Sequence, residues 1–202
     1  MDLNFSEGAT LLVQVAMGIS LAACAGLRAF LPLFVTGVAG RLDYIPLTSY
    51  FDWLESWPAL IILGVAVVTE ILADKLPVVD NFLDSLQTFV KPIAGTILAA
   101  SVLTELTPLQ ATILGLITGG SVAGGVHVMK AKTRLVSSAT TAGVGNPFLS
   151  FIEDVGAFIG SLGAVLLPLL FVALLALAFI VTWFALRRWS RGGVRPAHPP
   201  PA

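Results

Sequence analysis

Four carboxylates fall within fifteen residues of this chain, Glu70, Asp74, Asp80 and Asp84, in the stretch TEILADKLPVVDNFLDSLQTFVKP. Glu70 and Asp74 are four apart, as are Asp80 and Asp84, so on a helix each pair shares one face. Oxygen ligands in that number suit a hard cation, and the same groups could relay protons. Lys75 and Lys91 stand close enough to neutralise part of the set. The plainer reading is a solvated turn with charges at helix ends. Glu70 resists it, because the eleven residues before it, ALIILGVAVVT, carry no charge. A second acidic pair, Glu153 and Asp154, lies one turn into the apolar run after GNP. A helix dipole favours carboxylates there, yet a lipid-facing pair would be costly, so an inward orientation is expected. Arg28 sits between two apolar stretches and is a candidate partner for a buried carboxylate; the alternative is snorkelling to the headgroups. His127 and Lys130 close a glycine-rich run. A neutral imidazole there could pass protons, and a structural role fits the position as well. These residue types leave the identity of any bound metal open.

The elements that must position these groups are hydrophobic helices. Of 202 residues, 56% are hydrophobic and 11% charged, against about 25% charged in soluble domains. The chain reads as an all-α, polytopic integral membrane bundle. One cysteine, Cys24, excludes an intrachain disulfide and Cys-based zinc sites, and it reads as a packing residue. A net charge of -1 gives no hint of nucleic acid. MDLNFSEG lacks the positive region of a signal peptide, so the first apolar run is expected to stay as a helix.

A span needs about 20 apolar residues. Residues 9–27 meet this. After Arg28, the shorter AFLPLFVTGVAG reads as a re-entrant or kinked extension. Residues 41–57, with Tyr44, Tyr50, Phe51, Trp53 and Trp57, read as an interfacial loop, since aromatic rings favour the headgroup level. Helices are expected over 58–73, from near Asp80 to Leu103, and over 109–129. Residues 131–147 read as a polar loop. The long run 148–186 reads as two spans bending at Gly163 or Pro168, giving about five to seven membrane segments. Residues 1–186 form one transmembrane domain; 187–202 read as a basic, proline-rich, disordered tail. Lys130, Lys132 and Arg134, with Arg187, Arg188, Arg191 and Arg195, place that loop and the tail in the cytoplasm.

The glycine patterns Gly115-xxx-Gly119, Gly120-xxx-Gly124 and Gly156-xxx-Gly160 suit close helix packing, within the chain or in a homo-oligomer. No GK[ST], HExxH or GxSxG occurs, so neither an enzyme nor a cofactor is expected. Ser20-Leu-Ala-Ala-Cys echoes Ser121-Val-Ala-Gly-Gly, and Pro77…Asp84 echoes Pro147…Asp154, which suggests two related halves. AGLRAFLPLF, TEILADKLPVVDNFLDSLQTFVKPIAGTILA, GGVHVMKAKTRL and GNPFLSFIEDV together resemble the bacterial membrane family called domain of unknown function 4126, over about residues 15 to 165. The resemblance implies a multi-span protein of the bacterial plasma membrane and supplies no ligand or site. The functional expectation therefore rests on the charges. It is a small transporter or channel for an ion or small polar solute, with a non-transporting scaffold or lipid-organising protein, or a lipid-translocating one, as the alternative.

Overall fold

The computed structural model describes residues 5–74 and 77–192, with side chains over 8–74, 85–181 and 184. Among these residues every regular element is helical: α1 (Phe5–Leu27), α2 (Phe30–Arg41), a 3-10 helix (Ser49–Glu55), α3 (Trp57–Ala73), α4 (Pro77–Ser101), α5 (Pro108–Leu114), a π stretch (Gly115–Gly120), α6 (Ser121–Thr141), α7 (Asn146–Leu166) and α8 (Pro168–Gly192). The helix starts carry local signals. Ser56 caps α3, accepting from the Ala59 N–H, with Pro58 in the first turn. Thr107 and Gln110 form a capping box at the start of α5, with Pro108 at its first helical position.

Among the described residues, three segments are long and apolar enough to cross a membrane: Gly8–Leu27, Pro108–Thr141 and Asn146–Leu166. A fourth is the pair formed by the 3-10 helix and α3, bent by 64°. The segments Phe30–Arg41 and Pro168–Val181 are shorter apolar helices.

The ambiguity left after Arg28 is resolved by α2, which turns back. Its first N–H groups meet Glu70 near the end of α3, while Arg41 at its other end stacks on Trp57 at the start of α3. Just beyond α2, Tyr44 and Ile45 line the same cavity as Thr10, Gln14 and Met17 of α1. So α1 and α2 form a hairpin with Arg28 at its tip, and α3 runs antiparallel to α2. Helix α4 returns along α1: Gln14 donates to Thr104 at 2.8 Å, and a Cβ on Gly18 would touch Ala99.

Close packing at glycine holds the centre together. Gly119 in the π stretch crosses Gly95 of α4 so closely that a Cβ on Gly119 would lie 2.2 Å from the Gly95 carbonyl oxygen. A Cβ on Gly26 of α1 would strike Val126 and Ala123 of α6. Gly115 and Gly120 face Thr96 of α4, and Gly160 faces Cys24 and Phe171. Pro77 opens α4 and Pro147 lies in the first turn of α7, so each echoed segment begins a helix.

Two sequence expectations need correction, and one pair of alternatives is decided. The polar loop expected over 131–147 is helical as far as Thr141. The stretch AKTRLVSSAT is polar but contains no helix breaker, and the chain leaves the helix only where Ala142 and Gly143 adopt positive φ. Helix α8 continues through Arg187, Arg188 and Arg191 to Gly192, since arginine, leucine and alanine favour helix and the first glycine comes at that end; residues 193–202 lie outside the described residues. The break between α7 and α8 falls at Leu167, the residue before Pro168, where proline disfavours helical geometry, and not at Gly163.

Candidate functional site: a buried charge cluster at one end of the bundle

The 20 residues Gly8–Leu27 cover about 30 Å at 1.5 Å per residue, the thickness of a hydrocarbon core. Arg28 therefore stands at the end of the first span, and the chain breaks helix there. Its side chain is fully buried. One guanidinium nitrogen bonds the Asp74 carboxylate. Another lies 2.6 Å from Asp154 Oδ1 and donates to Ser150 Oγ at 2.9 Å.

Asp74, at the C-terminus of α3, collects further cations. Arg134 reaches its Oδ2 at 2.9 Å and Lys130 at 3.6 Å. The same two residues hold Glu153, at 3.2 Å from Arg134 and 3.0 Å from Lys130. Lys130 also approaches the Leu27 carbonyl at 3.4 Å, at the end of α1. Glu153 and Asp154 form the outer rim, with side chains 12% and 16% exposed.

Glu70 has a different task. Its Oε1 accepts from the Ala29 N–H at 2.9 Å and its Oε2 from the Phe30 N–H at 3.2 Å. It thereby caps the N-terminus of α2, where helix N–H groups lack partners and the dipole favours negative charge. Gln87 of α4 donates to Oε1 at 3.1 Å. The positive charges of Arg28 and Lys91 also act on Glu70.

Further into the bundle, the fully buried Lys91 of α4 places Nζ 3.2 Å from Nδ1 of His127 on α6. Thr88 Oγ1 lies 3.3 Å from the other ring nitrogen, Nε2. Pro92 follows Lys91 inside α4, and without an N–H it cannot serve the Thr88 carbonyl as a helix residue normally would.

The structure thus brings together Arg28, Glu70, Asp74, Lys91, His127, Lys130, Glu153 and Asp154 from four helices and the α1–α2 break. The side chains of Lys75, Asp80 and Asp84 lie outside the described residues. Sequence reasoning left out Arg134, assigned to a loop, along with Gln87, Thr88 and Ser150. A signal for Arg134 was present. His127, Lys130 and Arg134 are spaced by three and four, a single helical face that continues past the expected end of the helix.

At the opposite end of the bundle a cavity of about 260 Å³ is lined by Thr10, Gln14, Met17, Tyr44, Ile45 and Pro168, and none of the cluster reaches it.

A family model described as a domain of unknown function, DUF4126, matches residues 15–188. The chain belongs to this family. Comparison with curated proteins and with solved structures finds no match. The DUF4126 match encloses the whole cluster, from Arg28 to Asp154, together with the glycine crossing that brings α4 against the π stretch. The family carries no assigned activity, so the chemistry of the site must be argued from its own residues.

Proposed function

We propose that this DUF4126 protein is a small transporter or channel of the bacterial plasma membrane that handles an ion or small polar solute at the charge cluster. The reading is carried by one observation: ionisable groups from α3, α4, α6 and α7 converge, buried, on the break of the α1–α2 hairpin. Buried ion pairs stabilise poorly compared with apolar packing of the same volume, and ionisable groups in spanning helices mark ion paths by default. Interrupted helices that bring a half-helix terminus to a charged site are a recurrent transporter plan. The lysines and arginines of α6 and α8 support a cytoplasmic position for the cluster. No enzyme activity is proposed.

The test is flux in proteoliposomes over protons, common cations and small anions. Glu153→Gln and Asp154→Asn, at the rim, should each slow flux by tenfold or more while the protein still purifies as a folded species. Full flux in both variants would place the path elsewhere. Glu70→Gln is a poorer probe than its size suggests. An amide keeps one acceptor oxygen and turns its NH2 toward a backbone N–H, so part of its effect would be on the α2 cap.

A second reading, a scaffold or lipid-organising protein, is favoured by the mutual neutralisation in the cluster. Asp74, Glu153 and Asp154 are each matched by cations, as a purely structural clamp would require. Parent proteoliposomes that move none of the tested species would favour it.

A further inference from the structure

Resting on that reading, we infer that the ion handled by the cluster is the proton, and that it is taken up by the Lys91–His127 pair joining α4 to α6. The carboxylates are poorly placed for a metal. Asp74 Oδ2, Glu153 Oε2 and Asp154 Oδ1 each face cations among Arg28, Lys130 and Arg134, and Glu70 gives both oxygens to backbone N–H groups. Among the described residues no three His, Cys, Asp or Glu side chains form a metal-binding set.

The Lys91–His127 contact has a different property. Nζ and Nδ1 are 3.2 Å apart. An ammonium is donor-only, and so is an imidazolium at both nitrogens. The hydrogen bond therefore exists only when one of the two bases lacks a proton. With Lys91 as the ammonium, Nδ1 of His127 is the bare acceptor, and Nε2–H is left to donate to Thr88 Oγ1, 3.3 Å away. A further proton entering the pair forms an N–H bond at Nδ1 and sets two donors, and two positive charges, face to face. Loading a proton therefore removes the acceptor and breaks the Lys91–His127 hydrogen bond.

The surrounding charges decide how far that loading is tolerated. From α3, Glu70 feels the charge of Lys91, and Asp74 lies one turn further along, at the end of that helix. Arg28 comes from the end of α1, Lys130 and Arg134 from α6, and Glu153 and Asp154 from α7. Separation of α4 from α6 near Pro92 would act on Gln87, one turn from Lys91 on the same helix, and so on the Glu70 cap that holds the α1–α2 break. Proton uptake thereby couples to the interrupted helix.

The experiment is nitrogen NMR of the full chain in nanodiscs, in a His198→Gln background that leaves His127 as the one imidazole. Scanned from about pH 5 to 9, the His127 nitrogens should report a change of protonation state, with the proton on Nε2 at the alkaline end. Lys91→Met removes the facing cation and should raise the midpoint by about one pH unit or more. Lys91→Arg keeps a permanent cation and should keep the midpoint low, so a merely disruptive effect of substitution is distinguished. An imidazole that holds one protonation state across that range overturns the inference on the parent chain alone, even if Lys91→Met fails to fold. So does a midpoint that ignores Lys91→Met. Flux of a solute with His127 silent would leave transport standing without the proton. Titration as expected with no flux in liposomes would leave the proton site standing without transport.

Discussion

Arg28 gives the most decisive test of the buried cluster. Arg28→Ala removes a fully buried cation and keeps the backbone at a helix break. Two carboxylates lose a partner, and their losses differ. Asp74 retains Arg134 at 2.9 Å and Lys130 at 3.6 Å, so its charge stays compensated. Asp154 loses a contact of 2.6 Å, and Ser150 loses its donor at 2.9 Å. Breaking a buried pair by removing one partner costs about 3–5 kcal/mol. The control is Arg41→Ala. Arg41 ends α2 and makes two contacts, a stack 4.3 Å above the Trp57 ring and a bond to the Glu55 carbonyl at 3.0 Å. It lies exposed at the far end of that helix, where such contacts contribute about 0.5–1 kcal/mol. The two variants should therefore separate by at least 2 kcal/mol, taking the lower figure of one range and the upper of the other. Denaturant or thermal unfolding in one detergent at fixed pH measures this. Asp154→Asn added to Arg28→Ala should recover part of the loss, because it removes the charge left without Arg28. Equal stability of Arg28→Ala and Arg41→Ala would refute the reasoning, and so would full additivity of the two cluster changes.

Glycine positions supply a prediction of opposite signs. Gly119→Ala drives a Cβ into the Gly95 carbonyl and should destabilise by about 1–3 kcal/mol, whereas a Cβ on Gly125 meets nothing within 4 Å, so Gly125→Ala should be neutral or stabilise by up to about 1 kcal/mol through helix propensity; unfolding in detergent ranks the two. For topology, single cysteines at Ser137 and Gly193 in a Cys24→Ala background should both be shielded from impermeant thiol reagents in intact cells, and labelling of just one would contradict two crossings between α6 and the tail. The background is tolerable because the Cys24 sulfur packs at Gly160, where loss of one atom costs little relative to the bundle; a Cys24→Ala protein that fails to purify would show otherwise. In flux assays, Glu153→Gln should act at least as strongly as Asp154→Asn, since it releases both Lys130 and Arg134, and the reverse order would move the path toward Arg28.

Composition and period alone determined that this chain is a helical membrane protein. Apolar runs of about 20 residues have few alternatives, because backbone groups in lipid must be satisfied within the segment. The break at Arg28, the start of a helix at Pro58 and the long acidic segment were legible for the same reason: proline, glycine and isolated charges punctuate such runs. The inward orientation of Glu153 and Asp154 also followed from the cost of facing lipid. Only the tertiary structure decided what each charge does. Glu70 looked like a free ligand in sequence, and it is spent on the Ala29 and Phe30 N–H groups, forty residues away, because α2 doubles back instead of extending α1. Arg134 looked like a loop cation, and it enters the cluster because α6 outlasts its apolar segment. Hydropathy marks where lipid ends, but a helix ends where its backbone loses partners or meets a breaker, and the two boundaries need not coincide. The Lys91–His127 contact depends on how closely α4 and α6 approach. That spacing is set by the Gly95–Gly119 crossing, a pairing of distant small residues that no local pattern specifies.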